Sequence, residues 1–301
     1  MFERIKFSPT KNFKWILILS LLLTITGLFG ILAAPFGMNL FNLDIDFTGG
    51  TTMHVALHTQ VDQAVSSDVS KIVKDSSGQD ASSIQKTGDG TEVIIKVKEL
   101  SSETRAKVFD ALKTKYSLED KDLLQSDNVS SVVGQDLKTK AFLSALIAAV
   151  LMLIYITFRF EFKSGLAAVI CLIHDLLVMM SVYVIFQIPM NMNFIAACLT
   201  ILGYSINASI IIFDRIRENM KFARKESFSQ VVDRSIWQTM PRTINTSLTT
   251  LFTIIMILIL GVPSLKNFAL PIVVGIVSGA YSSAFLAGPL WSFFRKTFKK
   301  A

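Results

Sequence analysis

Charged residues are scarce in this sequence. They make up 18% of the 301 residues, whereas a soluble globular protein typically carries about 25%. Hydrophobic residues make up 51%, and the mean hydropathy is +0.51. Lipid or another subunit must cover this excess of apolar side chains, so the composition excludes an ordinary soluble protein.

Cysteine is scarce as well. The chain has two cysteines, Cys171 and Cys198, and both lie within long apolar segments. A cysteine in such a place is typically a small buried hydrophobic residue rather than half of a disulfide or a metal ligand. The segment 35–140 contains no cysteine, so we expect no disulfide to stabilise it.

A recognisable catalytic or metal-binding pattern is also lacking. His54 and His58 are four residues apart, but their segment has the pattern of a strand, so we interpret both as surface residues. Thr48-Gly49-Gly50 lacks the Lys-Ser/Thr and the helix that follow a phosphate-binding loop, and we interpret it as a turn or bulge. No nucleophile–base pair is visible, so we predict that the chain is not an enzyme and has no cofactor or metal.

Long apolar runs are what the sequence does contain. A helix needs about 20 residues to cross the hydrocarbon core of a bilayer. Six runs have a suitable length with at most one charge each, at 15–34, 141–158, 164–186, 188–213, 243–265 and 267–294. The first run also resembles a signal peptide, but it exceeds the ~7–15 apolar residues of a signal core. The sequence therefore predicts six transmembrane helices.

Lysine and arginine indicate the direction of the spans. They cluster before the first span, between the second and third, after the fourth and after the sixth, and such clusters favour the cytoplasmic side. Both termini are then cytoplasmic, and topology explains the basic residues without nucleic acid. The predicted domains are a cytoplasmic N-terminus at 1–14, the first span at 15–34, an extracytoplasmic domain at 35–140, five spans in 141–294 with a cytoplasmic loop at about 214–236, and a cytoplasmic C-terminus at 295–301.

The extracytoplasmic domain has a mixed pattern. We predict a strand at 45–57, a helix at 61–75, a hairpin at 82–97 that turns at Asp89-Gly90, a helix at 102–116 and a strand at 122–133. Ala106, Phe109 and Leu112 form the expected apolar face of the second helix. The order β-α-β-β-α-β predicts a small α+β ferredoxin-like domain.

Four short motifs resemble those of one known family. Asp44-Ile-Asp-Phe-Thr-Gly-Gly50 resembles the Asp-Phe-x-Gly-Gly motif that opens the outer domain of the SecD/SecF family, with matches at Asp46, Phe47, Gly49 and Gly50. Each motif is weak alone, but together, in this order and on this topology, they resemble the SecF members over essentially the whole chain.

The other three motifs lie in the spans. Gly203-Tyr-Ser-Ile-Asn-Ala-Ser209 and the following Phe213-Asp-Arg-Ile-Arg-Glu-Asn219, which contains Asp214 and Arg215, are similar to the fourth span of SecF proteins and its cytoplasmic exit. His174-Asp175 in the third span and Arg242-Thr243 at the fifth also match.

The resemblance implies a fold, partners and a function. The fold is an all-α six-helix bundle that forms half of a transporter of the resistance-nodulation-division superfamily. The implied partners are SecD, the SecYEG channel, an unfolded polypeptide in transit and the lipid bilayer of the bacterial plasma membrane. The ion-motive force, carried by H⁺ or Na⁺, would assist export. The alternatives are a small-molecule or lipid exporter of the same superfamily and a membrane scaffold that does not transport.

Three polar residues at membrane depth are candidates for ion coupling. A charge inside a span costs about 2.5–3.5 kcal/mol on insertion scales, so each such residue requires an explanation. Asp175 lies near mid-span, and Arg242 reaches it or Asn207 if the fifth helix begins near Trp237. We expect these three side chains to form a polar group that titrates during ion passage. The alternatives are a fixed Asp175–Arg242 ion pair, a hydrogen bond from Asp175 to a helix end, and a helix–helix contact made by Asn207.

One position departs from the family pattern. Many SecF proteins carry an aspartate directly after the asparagine of the fourth-span motif, and that aspartate is assigned to proton transport. Here the residue is Ala208, which binds no proton. Either Asp175 and SecD take over this task, or the chain is a natural or engineered variant with altered coupling.

Overall fold

The computed structural model describes residues 7–87, 90–223 and 225–297. The chain divides into two compact units, one within Met1–Asn42 and Phe142–Ala301 and one within Leu43–Ala141. In chain order the elements are α1 (Phe13–Ala33), α2 (Ile45–Thr48), β1 (Gly50–Ala56), α3 (Gln63–Ser77), β2 (Ser83–Thr87), β3 (Glu92–Val97), α4 (Ser102–Tyr116), β4 (Leu123–Val129), α5 (Ser131–Arg159), α6 (Phe162–Ile185), α7 (Met192–Phe222), α8 (Phe228–Leu260), α9 (Pro263–Ser282), a π-helical turn (Ser283–Ala287) and α10 (Gly288–Thr297).

The helical unit contains the predicted spans. Six helices of the described chain are long and apolar enough to cross a membrane: Phe13–Phe36, Ser131–Arg159, Phe162–Ile185, Met192–Phe222, Phe228–Leu260 and Leu265–Thr297. The prediction of six apolar helices is confirmed. The interior holds large buried side chains such as Leu172, Phe213 and Ile236, which pack the helices together.

The helices around the predicted cytoplasmic loop are longer than expected. Helix α7 continues to Phe222, and α8 already begins at Phe228. The side chain of Ser227 accepts a hydrogen bond from the backbone N–H of Gln230, and the glutamine bonds back to the start of the helix, which is a capping box. Most of the segment 214–236 is therefore helix, and Arg242 lies well inside α8.

The α/β unit contains one antiparallel sheet with the strand order β2-β3-β1-β4. Helices α3 and α4 pack against it, and the elements follow one another as β-α-β-β-α-β after the short α2. The buried core lies between the helices and the sheet, and it includes Met53, Val69, Ile95, Val108 and Leu112. The alternation of buried and less buried residues along β3 is typical of a strand with one face on the core.

Three details of the α/β unit differ from the sequence predictions. The first strand begins at Gly50 rather than at residue 45, because Asp44 caps the helical turn α2. Ala106 is exposed and Val108 is buried instead, because the phase of α4 places Val108 and Leu112 on the core side. The predicted turn residue Asp89 lies outside the described residues.

The histidines of this unit each contact a carboxylate. His54 is 9% exposed, so its interpretation as a surface residue is wrong. Its Nε2 lies 2.8 Å from Glu92 Oε2, which supplies the polar partner that a buried imidazole needs. His58 is exposed, and its Nε2 lies 2.9 Å from Asp122 Oδ1.

Candidate functional site: a buried carboxylate in the helical unit

Asp175 is the carboxylate at the centre of the helical unit. It lies on α6 and is 1% exposed. Ser278 of α9 donates a hydrogen bond to Oδ1 at 2.6 Å. Ser205 of α7 and Ser282 of α9 donate to Oδ2 at 2.6 and 2.8 Å. The carboxylate thus connects three helices through neutral hydroxyl groups.

His174 completes the surroundings of the carboxylate. Its Nδ1 lies 3.1 Å from Asp175 Oδ1, and the residue is 7% exposed. The other ring nitrogen, Nε2, is buried and has no hydrogen-bond partner among the described residues. The ring packs against Tyr281 of α9 with a centroid distance of 5.8 Å.

Small residues let the helices approach one another around this site. A Cβ atom on Gly279 would lie 3.2 Å from the Cβ of Ser205 and 3.6 Å from Asp175 Oδ2. One turn earlier, a Cβ on Gly275 would lie 2.5 Å from Ile201, closer than real atoms approach. Glycine at both positions therefore allows α9 to bring its serines to α6 and α7.

The helix geometry changes directly after Ser282. The five residues Ser283–Ala287 form a π-helical turn between α9 and α10, and such turns occur frequently at functional sites. The thiol of Cys171 lies 3.8 Å from the carbonyl oxygen of Ser282. The last serine of the site is thus placed at a local irregularity of its helix.

No lysine or arginine of the described residues forms an ion pair with Asp175, and the titratable group in contact with it is the imidazole of His174. In a low-dielectric interior, a charge that no fixed cation compensates changes the local field strongly when a proton is bound or released. The arrangement suits proton binding.

The structure does not bring Asn207 and Arg242 to Asp175. Both side chains are exposed in this chain, Asn207 on α7 and Arg242 on α8, and within the described ranges neither makes a side-chain hydrogen bond or an ion pair. The predicted group of three residues, and the alternative of a fixed Asp175–Arg242 ion pair, are therefore wrong as geometry. The roles of the three residues in ion coupling stay predictions.

Asn207 and Arg242 each have exposed small or polar neighbours on their own helix. Gly203, one turn before Asn207, is exposed, and a Cβ there would have nothing within 4 Å. On α8 the exposed polar residues that follow Arg242 are Asn245, Thr246 and Thr249. We call these exposed residues of α7 and α8 together the polar face, although Ile244 and Leu248 are exposed among them on α8.

The motif after the fourth span connects α7 to α8. Arg215 donates from Nε to Gln238 Oε1 at 2.7 Å, and Asn219 donates to the hydroxyl of Ser235 at 2.8 Å. Asp214 Oδ1 lies 3.9 Å from Arg159 Nη2, at the end of α5. These contacts link the end of α7 to α5 and α8, and the structural role of Asp214 and Arg215 stays a prediction.

The motif at residues 44–50 forms a tight corner in the α/β unit. Asp44 caps α2 and its Oδ1 lies 2.8 Å from Lys96 Nζ, and Phe47 is buried. Gly49 has φ +74°, and a Cβ there would lie 2.7 Å from Ser131 Cα. Gly50 has φ +144°, so the two glycines make the turn into β1 that the sequence indicated. Asp46 lies in the first turn of α2.

The sequence reasoning missed the three serines as partners of Asp175. Ser278 and Ser282 are four residues apart, which places them on one helix face. Small residues at this spacing by themselves indicate only close packing between helices. Ser205 lies inside the matched motif at 203–209, two residues before the predicted candidate Asn207. The available signal was therefore the helical spacing of hydroxyl residues, which hydropathy does not report.

Comparison with known proteins identifies the family. The model of the family "Protein export membrane protein SecD/SecF, C-terminal" matches residues 108–297. The protein translocase subunit SecF of Acidaminococcus fermentans is 37% identical over 98% of this chain and 99% of its own length. The SecF subunit of Helicobacter pylori strain 26695 is 36% identical over 82% of this chain and 76% of its own length.

Longer relatives contain the same region as one part. The protein translocase subunit SecDF of Thermus thermophilus is 37% identical over 83% of this chain and 34% of its own length. A crystal structure of SecDF, a translocon-associated membrane protein from that organism, superposes with a TM-score of 0.83 at 32% identity, over 99% of this chain and 39% of the SecDF chain. With six apolar helices and these relatives, the chain is a multi-pass membrane protein that belongs to the SecD/SecF family.

Proposed function

We propose that this chain works with SecD as an ion-coupled accessory subunit of protein export through the SecYEG channel. Relatives that match nearly the whole chain are protein translocase subunits, which supports the role in export. The observation that carries ion coupling is Asp175, a fully buried carboxylate that hydroxyl groups from two other helices hold in place. An ionisable group at membrane depth is expensive, and it typically marks an ion pathway.

SecD is the proposed partner at the polar face. In Thermus thermophilus and Bacillus subtilis the matching region is part of one SecDF chain. Arg242 and Asn207 are exposed in this chain alone, and lipid tails offer a guanidinium group no hydrogen-bond acceptor. A second six-helix half would cover these side chains, and the interface between halves is where ion paths run in such transporters.

The polar groups then occupy two places on the proposed ion route. Asp175 lies inside this half of the transporter, and Arg242 and Asn207 face the other half. This division accounts for coupling without a carboxylate at Ala208, because Asp175 and groups of SecD bind the ion while Arg242 sets the charge balance. The carried ion is H⁺ or Na⁺.

The α/β unit is the proposed outward-facing domain. Its strand order β2-β3-β1-β4 supports a ferredoxin-like fold, and the distribution of basic residues supports both termini in the cytoplasm of a bacterial cell. This unit acts mechanically on the emerging polypeptide, without covalent chemistry. Ion binding in the spans drives it through α1 and α5, the two helices adjoining it in sequence.

The test is ion-gradient-dependent protein translocation in vesicles that contain this chain, SecD and the channel. We expect Asp175→Asn to keep the complex with SecD, because the amide oxygen still accepts hydrogen bonds from the serines. We expect it to remove the gradient-dependent part of export, because an amide does not change its charge by binding or releasing a proton. The matched control is Asp233→Asn. This carboxylate accepts hydrogen bonds from the backbone N–H and the hydroxyl of Thr10 at 2.9 and 2.7 Å, but it lies outside the apolar part of α8.

A scaffold that does not transport predicts a different result. In that case Asp175→Asn and Asp233→Asn leave gradient-dependent export equally intact. Such an outcome rejects Asp175 as a coupling group in this subunit.

A further inference from the structure

His174 presents an unused basic nitrogen beside the buried carboxylate. Its Nδ1 is 3.1 Å from Asp175 Oδ1. Its Nε2 is buried without a hydrogen-bond partner among the described residues. A buried polar atom of this kind is rare in proteins, because leaving it unpaired costs free energy.

The contact with Asp175 assigns the tautomer of the ring. An ionised carboxylate only accepts hydrogen bonds, so Nδ1 carries the hydrogen and donates it. In the neutral ring Nε2 then holds a free lone pair. Because Ser205, Ser278 and Ser282 already donate to the carboxylate, the lone pair of Nε2 is the basic position of the site that no hydrogen bond occupies.

The charge of the pair favours a proton at this position. With a neutral ring, His174 and Asp175 together carry one negative charge in a buried place. A proton on Nε2 makes an imidazolium ion, and the pair becomes neutral overall. Burying a net charge is far more costly than burying a hydrogen-bonded neutral pair.

We infer that Nε2 of His174 is a proton-binding atom of the helical unit and takes part in ion coupling beside Asp175. The inference rests on the proposed ion coupling and adds a residue to it. Hard metal cations select oxygen ligands, and here four donors already occupy the carboxylate oxygens. Na⁺ would have to displace them, whereas a proton needs only the free nitrogen lone pair.

Few other titratable groups face the pair. On α6 the neighbour is Cys171, and on α9 it is Tyr281. Helix α7 contributes Ser205 and carries no charged residue before Asp214. Helix α9 carries no charge after Lys266, and α1 carries none after Lys14. Helix α10 also packs against α6, and its charges, Arg295 and Lys296, lie in its last turn. No lysine or arginine of the described residues forms an ion pair with His174 or Asp175.

Tyr281 connects the ring to α1. Its hydroxyl lies 3.1 Å from the hydroxyl of Ser20 and donates to the carbonyl oxygen of Ile16 at 3.1 Å, while its ring packs on His174. A charge on the imidazole acts directly on this aromatic contact. Proton binding at α6 is thereby transmitted to α9 and α1.

The first test observes the proton directly. The chain has three histidines, so His54→Gln and His58→Gln together leave His174 as its only one. This variant, labelled with ¹⁵N-histidine, is reconstituted with unlabelled SecD in lipid nanodiscs, and the ring nitrogens are followed by NMR from about pH 5 to 9. We expect Nδ1 to stay protonated and Nε2 to gain a proton at low pH, equally in NaCl and in KCl. A ring with one proton throughout, or a sodium-dependent loss of the second proton, overturns the inference.

The second test separates this site from the proposed function. His174→Asn keeps an N–H donor next to Asp175 but has no basic nitrogen, and we expect gradient-dependent export to fall to the level measured without a gradient. His54→Gln is the control, since His54 also contacts a carboxylate but lies in the α/β unit. Full export with His174→Asn overturns the role of Nε2. If Asp175→Asn still abolishes coupling in the same vesicles, ion coupling itself stands.

Discussion

Ser278 donates a 2.6 Å hydrogen bond to Asp175, although the two residues are 103 positions apart in the sequence. The bond joins α9 to α6, and Ser282 repeats the connection one turn later. A charge on α6 is thus compensated by hydroxyl groups that other helices supply. The packing of these helices therefore depends on hydrogen bonds to a single carboxylate.

Ser278→Ala should destabilise the helical unit. A hydrogen bond to a charged group contributes about 1.5–3 kcal/mol. Its loss leaves Oδ1 of Asp175 with one neighbour, Nδ1 of His174 at 3.1 Å. The free energy of unfolding, measured by denaturation in detergent micelles, should fall by that amount. Ser283→Ala is the matched control, because this buried hydroxyl donates to the carbonyl oxygen of Ala280, three residues earlier in the same helical segment. Equal losses for the two variants would contradict the assignment.

Gly27→Ala should weaken the packing of α1 on α6. A Cβ at Gly27 would lie 2.5 Å from the carbonyl oxygen of Leu177 and 2.9 Å from the backbone nitrogen of Ser181. Because these are backbone atoms, the helices must separate, at a cost of about 1–3 kcal/mol. The thermal unfolding temperature in detergent measures the effect. Gly203→Ala, where a Cβ meets nothing within 4 Å, should leave the isolated chain unchanged, and a similar loss there would refute the packing argument.

Arg242→Met should abolish the stimulation of export and leave the complex with SecD assembled. Methionine keeps much of the length and the apolar stem of the side chain but removes the charge that the polar face presents. Gradient-dependent translocation and co-purification with SecD are measured on the same preparation. The control is Arg234→Met. In the parent chain the guanidinium group of Arg234 forms an ion pair with Glu226 at 2.6 Å. Retained stimulation by Arg242→Met would remove Arg242 from the coupling group.

The α/β unit should lose a local contribution to stability in acid. The backbone N–H of Glu119, which donates to Asp122 at 2.7 Å, and the imidazole of His58 hold the pKa of Asp122 below its ordinary value. A carboxyl with a lowered pKa in the folded state stabilises the fold above its unfolded pKa of about 4, and the contribution disappears as pH falls through the folded value.

Hydrogen exchange of the full chain measures this contribution. In the parent chain, the protection of the amides at 118–123 against exchange should decrease at pH values below about 4. In Asp122→Asn, protection should already be low at neutral pH and should change little in acid. Asp120→Asn is the control, because its side chain is 89% exposed in an ion pair with Lys113, and such surface pairs contribute little. Identical pH profiles for the two variants would contradict the role of Asp122.

Much of the α/β unit was predictable because its patterns are local. The buried positions Val69 and Val73 of α3 and the alternation along β3 follow from side-chain periodicity on a half-buried element. The error at Ala106 arose because Val108 was an equally good apolar candidate, and only packing against the sheet fixes the phase of α4. His54 is buried because Glu92 on the neighbouring strand pairs with it, and strand pairing is a non-local property.

The sequence by itself determined that the chain has six apolar helices, because about 20 apolar residues in a row have no other stable place than a bilayer. It also singled out Asp175, since a charge in such a run is rare. The tertiary structure alone decided what surrounds that charge. Within a span nearly all faces are apolar, so hydropathy does not tell interior from surface. Three-dimensional packing placed Ser205, Ser278 and His174 on Asp175 and left Asn207 and Arg242 exposed, because glycines at the contacts of α7 and α9 determine which helices approach closely.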